Sequence, residues 1–424
     1  MTASHEMRGD APRRNLHGNE KAVVAGIAAG VGLAIATRYL AQRAHKNAPE
    51  GLVDWERVEA IAAARLAAAP GALSAADLHA ADAGYSRAMT LAIPLLEQHL
   101  GRPLPGVVER HEVVDRATWA KANIATFESL IGHLEPHVRS ATGDKGVAAG
   151  LARAANRFIS TQQLGFLLGY LGTRVLGQYD IALLSAEATP GKLLFVEENV
   201  RQTAANLGVD VNDFRTWIVL HEATHAFEFE ANTWIRPYLR ERLEKQLAGV
   251  LDQARDLQSG GLSALIERLR DARDNPLAAL LTPEQRRLFE ETQRVMSLLE
   301  GFSDWVMDEV GAQVLPNVGT IRDRFEARRS QRRGPFDRIV ARLTGLDLKL
   351  EQYKRGERFV SGVAAAGGKA AIDALWAGPE NLPSEQELAD PRAWVRRVIA
   401  PKSNADLISG GSFSPHVGSA TSDN

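Results

Sequence analysis

Two histidines and a glutamate pose the first chemical question. Residues Trp217 to Phe227 read W-I-V-L-H-E-A-T-H-A-F, so His221 and His225 stand four positions apart with Glu222 beside the first. On a helix such residues lie one turn apart on one face, where both imidazoles can close on a single ion. Imidazole nitrogen is a zinc donor, and a carboxylate next to the first ligand is placed to take a proton from water at the metal. With eleven His in 424 residues, H-E-x-x-H is expected by chance on the order of 0.02 times per chain, so the match counts once it has helical context. That context is present. Residues 214–229 contain no Pro or Gly, apolar side chains flank both histidines, and Asn212 or Asp213 is suited to be the N-cap.

A zinc site needs a third protein ligand. The chain has no Cys, which leaves a carboxylate or a further His from another element. Glu228 and Ala231 occupy the Gly and His positions of the longer metzincin pattern, so that pattern fails. Glu228 shares the helix with the histidines but lies too far along it to close a tetrahedron easily. The better candidate is Glu300, in the stretch L-L-E-G-F-S-D-W-V-M-D from Leu298 to Asp308. Asp304, one turn on, could accept the other ring N–H of a ligand histidine and fix its tautomer. H-E-x-x-H followed by E-x-x-x-D resembles the gluzincins, the thermolysin-like group. The resemblance implies Glu300 as third ligand and Asp304 as the supporting carboxylate. The chain departs from thermolysin in spacing, because far more residues separate His225 from Glu300. A helical insertion over about residues 240–296 must therefore fold away and return, covering or flanking the site.

The elements that would position these groups are mostly helical. Ala and Leu abound and aromatics are 6% of the chain, which favours helices. Helices are expected from Trp55 to Ala69, from a Ser74 cap to about Leu100, from an Asp115 cap to Leu134, and over Lys145–Leu176. Around Leu164 to Gly172 the last of these is apolar on all sides, with Gly allowing close packing as a buried helix. Val107–Val114, Tyr179–Ser185 and Leu193–Glu197 read as strands of a small sheet. Leu193 to Val196, just upstream of the metal helix, could pair with an extended substrate as an edge strand or stand inside the sheet. After the metal helix, a break is expected near Pro237 and a helix from Trp234 to about Gln258. Residues 259–262 read as a loop. Thr282-Pro283 starts the helix that reaches Glu300, and Gly311 and Pro316 mark a turn. Helices follow over Thr320–Arg333, Ala370–Trp376 and Pro391–Ile399, and the stretch Leu343–Ala366 carries several groups able to reach a cleft. The fold class is α+β, predominantly α-helical, with one metallohydrolase-type domain over residues 51–403.

Composition narrows the partners. The net charge is -2 and 24% of residues are charged, so nothing argues for nucleic acid. The Arg-rich helix at 320–333 interleaves Asp323 and Glu326 and reads as a solvated face. Residues 1–20 are polar and read as flexible. Ala22 to Ala36 is an apolar run, short for a membrane span, which needs about 20 residues. A packed or peripheral helix is favoured there over a signal or an anchor through residues 22–41. Lack of Cys fits a reducing compartment, and the localisation expected is cytoplasmic. Residues 404–424, rich in Ser and Gly, read as an unstructured tail.

A narrower resemblance covers roughly residues 53–400. It rests on Val113 to Arg116 with Trp119, Tyr170-Leu171 with Arg174 to Asp180, and the metal helix. Glu300-Gly301 with Asp304 to Asp308, Leu346 to Leu350, Gly356 to Phe359 and Glu380 to Pro383 extend it. Together they resemble the zincin-like, gluzincin-type metallohydrolases of actinobacteria described as associated with deazaflavin-cofactor biosynthesis. The resemblance implies a zinc-metallopeptidase-like fold and supplies no substrate. The expected activity is zinc-dependent hydrolysis of a peptide or amide, with Zn²⁺ on His221, His225 and Glu300 and Glu222 as general base. Tyr353, Arg358 and Tyr238 are candidate donors to the oxyanion. The alternative is a gluzincin-like protein that binds zinc and a partner or other ligand without peptidase activity.

Overall fold

Several of the helices begin where the sequence supplies a capping side chain. The computed structural model describes residues 51–104, 106–141, 147–180, 191–256, 282–331 and 346–399. Helix α1 (Trp55–Ala67) starts at Asp54, whose carboxylate accepts from the Arg57 N–H. Helix α2 (Ala75–Leu100) starts at a capping box of Ser74 with Asp77 and stops at Gly101 in the left-handed conformation. Strand β1 (His111–Val114) precedes helices α3 (Arg116–Ala141) and α4 (Val147–Gly172). Strands β2 (Gly177–Asp180) and β3 (Lys192–Val196) lead into α5 (Glu197–Leu207) and the metal helix α6 (Val211–Ala231). Then come α7 (Ile235–Asp256), α8 (Pro283–Val314), α9 (Val318–Gln331), α10 (Leu346–Leu375), α11 (Glu385–Ala389) and α12 (Pro391–Val398). The fold is α+β and mostly helical.

Several boundaries differ from the sequence reading for local reasons. The residues before His111 form a short 3-10 turn, Val108–Arg110, so the first strand is shorter than expected. The metal helix is capped two residues early. Asp210 rather than Asn212 or Asp213 accepts the N–H groups of Asn212 and Asp213. Pro237 does not break α7, because it sits in the first turn, where its missing N–H costs nothing. Gly311 lies inside α8, which runs on to Val314. The helix expected at 370–376 is the end of a longer element, α10, which begins at Leu346 and is kinked at Gly368 with φ 60°. The apolar run at 22–36, the tail at 404–424 and residues 257–281 of the expected insertion lie outside the described residues. Among the described residues, no helix is long and apolar enough to cross a membrane.

The sheet order is β1-β3-β2, with β1 parallel to β3 and β2 antiparallel to it. Leu193 to Val196 are therefore central and cannot pair with a substrate. The edge strands are β1 and β2, and β2 packs against α6. The main core lies among α2, α6, α8 and α10, where Tyr85, Phe195, Phe214, Phe302 and Phe359 are fully buried. On the far side of the sheet, the glycines of α4 let it lie on α1. A Cβ at Gly165 would be 2.8 Å from the Ile61 side chain, and one at Gly172 would be 2.9 Å from Leu66. The start of α6 is held by a buried charge cluster. Glu197 of α5, wholly buried, pairs with Arg215 of α6 and with Arg201, and accepts from Tyr85 of α2 at 2.8 Å. Pairing makes that burial tolerable, and it ties three helices together beneath the metal helix.

Candidate metal centre

Helix α6 is buried along most of its length, with Phe214, Val219, Leu220, Ala223 and Ala226 inaccessible to solvent. That packing fixes the rotation of the helix and turns His221 and His225 toward α8. There Glu300 completes a group whose donor atoms all lie within 4.8 Å of one another. The two Nε2 atoms are 3.2 Å apart, and Glu300 Oε2 is 3.7 Å from His221 Nε2. Tetrahedral zinc with Zn–N bonds of about 2.0–2.1 Å separates two nitrogens by roughly 3.4 Å, so the group has the dimensions of a zinc site. The His221 and Glu300 side chains keep 22% and 20% of their surface exposed, leaving the cluster open on one side.

The hydrogen bonds behind the histidines select the tautomer a metal requires. Glu228, wholly buried, lies 2.7 Å from His225 Nδ1; burial pushes its carboxyl up to about 7, with His225 opposing the rise, and once ionised it can only accept. His225 therefore carries a proton on Nδ1. Ser303 Oγ lies 3.0 Å from His221 Nδ1 and 3.3 Å from the His221 carbonyl oxygen. With the hydroxyl proton on that carbonyl, Oγ accepts from Nδ1–H. Both Nε2 lone pairs then point at one spot, where only a cation, metal or proton, relieves their repulsion. Burial alone would lower the His225 imidazole, but the Glu228 carboxylate, with Glu300 and Glu222 adding to it, outweighs burial and holds His225 well above the usual histidine range.

Glu222 faces the same space from one side. It is buried, and its Oε2 accepts from the backbone N–H of Tyr179 in β2 at 3.0 Å. The approach is close because position 177 lacks a side chain; a Cβ there would be 2.6 Å from Glu222 Cγ. Burial pushes the Glu222 carboxyl up to about 7, with Glu300 adding to the rise and His225 and the Tyr179 N–H opposing it. A carboxylate so placed is suited to accept a proton near neutral pH.

The other predicted residues are spread more widely. Asp304 is half-buried on α8, next to Ser303, the residue that meets His221 Nδ1. Tyr238 is half-buried on α7, with the Arg242 guanidinium 3.3 Å over its ring. Arg358 is exposed on α10, and the side chain of Tyr353 lies outside the described residues. Glu230 turns to Arg110 and the Tyr179 hydroxyl, each at 2.8 Å. Sequence reasoning missed Ser303 and gave Glu228 no supporting role. The signal was present in both cases, since each lies three positions from a cluster residue on its own helix. The contact of Glu222 with β2 had no signal, because it joins distant parts of the chain.

Glu228 offers a direct check on this geometry. Its second oxygen, Oε1, is buried without a hydrogen-bond partner among the described residues, so its one polar contact there is His225. Glu228→Ala is expected to weaken zinc binding by about 10–100-fold, measured by competition with a chelator. Unchanged affinity would remove Glu228 from this role.

Comparison with known proteins places this geometry in context. A search of curated proteins gives no match. A crystal structure described as "a putative hydrolase with a novel fold from Chloroflexus aurantiacus" is 37% identical in sequence, with a TM-score of 0.59. The match covers 81% of this chain and 98% of that one. The model of the zincin-like metallopeptidases matches residues 53–395, a span that holds α6, Glu300 and the sheet, and the chain belongs to that family.

Proposed function

We propose that the protein is a zinc-dependent hydrolase of peptide or amide bonds in which Glu222 is the general base. One observation carries the reading: two imidazole nitrogens and the Glu300 carboxylate converge while the buried Glu222 carboxyl lies alongside. The donor set, two His and one Glu, is that of catalytic zinc sites that keep one position open. A bound zinc ion supplies Lewis acidity for the attack of water on a carbonyl. The chain's own groups do the rest. His221, His225 and Glu300 hold the ion, with Ser303 and Glu228 setting the two imidazoles. Glu222, oriented by the Tyr179 N–H, takes the proton of the attacking water and passes it to the leaving nitrogen. The narrower likeness to the deazaflavin-associated group names an association and adds no substrate.

The test is a mixed peptide library incubated with zinc-loaded protein and read by mass spectrometry for new termini. Cleavage is expected with the loaded protein and none with the chelated one. Failure of a fully loaded protein to cut any peptide or amide probe would overturn the reading.

A further inference from the structure

The carboxyl assigned as general base leans on a strand that is held from one side only. Strand β2 is four residues long and pairs with β3 alone. Its other edge meets α6, where Glu222 accepts the Tyr179 N–H at 3.0 Å and fills the space beside Gly177. A hydrogen bond is lost by about 3.6 Å, so the placing of Glu222 depends on where β2 sits to within about 0.5 Å.

The residue between those two contacts is Gln178. Side chains alternate along a strand, and that of Tyr179 stacks on Phe229 of α6, so Gln178 projects to the opposite face, toward α3. There its amide is held at both ends. The carbonyl oxygen accepts from Trp119 Nε1–H at 2.6 Å and from Asn123 Nδ2 at 3.3 Å, and Gln178 Nε2 donates to Asn123 Oδ1 at 3.2 Å. The clamp is itself fixed. Trp119 is buried in a cluster with Val114, Leu194 and Val196, and Asn123 Nδ2 also donates to the Trp119 carbonyl at 2.9 Å. The turn leading into β2 is braced from below. Buried Asn199 of α5 donates to the carbonyls of Gly172 and Val175, at 2.8 Å and 2.7 Å. Trp119 and Gln178 both lie in stretches that carry the narrower sequence resemblance, and neither belongs to the metal cluster.

We propose that Gln178 is a positioning residue for Glu222. Clamped by Trp119 and Asn123, it holds β2 where Gly177 and Tyr179 receive the carboxyl. The proposal rests on Glu222 being the general base and goes beyond it by naming what sets the place of that base.

The test uses the zinc-loaded full chain. Gln178→Met keeps the length of the side chain and removes both ends of the clamp. It should lower kcat by about 10–100-fold with KM little changed, since a misplacement of about 1 Å costs up to roughly 10²-fold. It should also speed amide hydrogen exchange at Tyr179 and leave Tyr85 of the main core as it was, both followed by NMR with isotope-labelled tyrosine. Gln178→Glu, which keeps an oxygen for Trp119 Nε1–H and Asn123 Nδ2, should recover most of kcat. If Gln178→Met does not fold, Asn123→Ala decides, with faster Tyr179 exchange and a lower kcat expected there too. Exchange speeded equally at Tyr85 means a loosened fold and overturns the proposal. Unchanged kcat or unchanged Tyr179 exchange in a folded, zinc-loaded variant overturns it as well. Retained turnover in Glu222→Gln sinks the general-base reading itself, whereas an inactive Glu222→Gln beside a fully active Gln178→Met sinks only the clamp.

Discussion

Glu222→Gln is expected to keep its zinc and to lose hydrolysis by about 10²–10⁴-fold, the range for removing a general base. The amide has the shape of the carboxylate and keeps an oxygen for the Tyr179 N–H. Nothing in the packing against Gly177 changes, so fold and metal content should stay as they are. The amide cannot take a proton from water at neutral pH. The loss should therefore fall on kcat, with KM little changed, because the interaction removed acts in the transition state and not in binding. Steady-state kinetics on a peptide from the library, with zinc content measured on the same sample, provides the check. Retained turnover in the metal-loaded variant removes Glu222 from the role.

Gly356→Ala should cost about 3 kcal/mol or more of stability, the upper end of overpacking effects. Helices α8 and α10 cross at Gly301 and Gly356, backbone against backbone. A Cβ on Gly356 would overlap the Ser297 carbonyl, and one on Gly301 would overlap the Gly356–Glu357 peptide. Neither obstacle is a side chain that could swing aside, so the helices must separate. Glu300 adjoins that crossing, so the same change should also weaken zinc binding. Urea unfolding measures the first effect through a lower midpoint at unchanged slope. Gly319→Ala, at an exposed helical position with nothing within 4 Å of the added Cβ, is the control and should be neutral or slightly stabilising. Equal stability of Gly356→Ala and Gly319→Ala would contradict the crossing as described.

The parts of the site that were legible in the sequence are those set by helical period. His221, Glu222 and His225 are one turn of α6, and Glu300 announces itself by its helix and its distance from Asp304. Period alone could not decide between neighbours on one face. Positions three and four residues beyond Glu300 both lie near its face, and tertiary packing brings Ser303 to His221 Nδ1. Strand order was not legible. Leu193 to Val196 and Gly177 to Asp180 are equally plausible edges until pairing with β1 puts the first in the centre. Nor does any local pattern foretell that Gly177 makes room for Glu222. The cap at Asp210 was missed because Asp210, Asn212 and Asp213 all suit the role, and the backbone turn chooses among them.

The central claim is that His221, His225 and Glu300 form one zinc site, and metal analysis tests it most directly. Purified protein reconstituted with zinc, dialysed, and compared with Glu300→Ala should hold about one zinc per chain, with the variant losing it or binding far more weakly. A protein that holds no zinc after reconstitution, or a Glu300→Ala variant that holds it as firmly as the parent, would contradict the account.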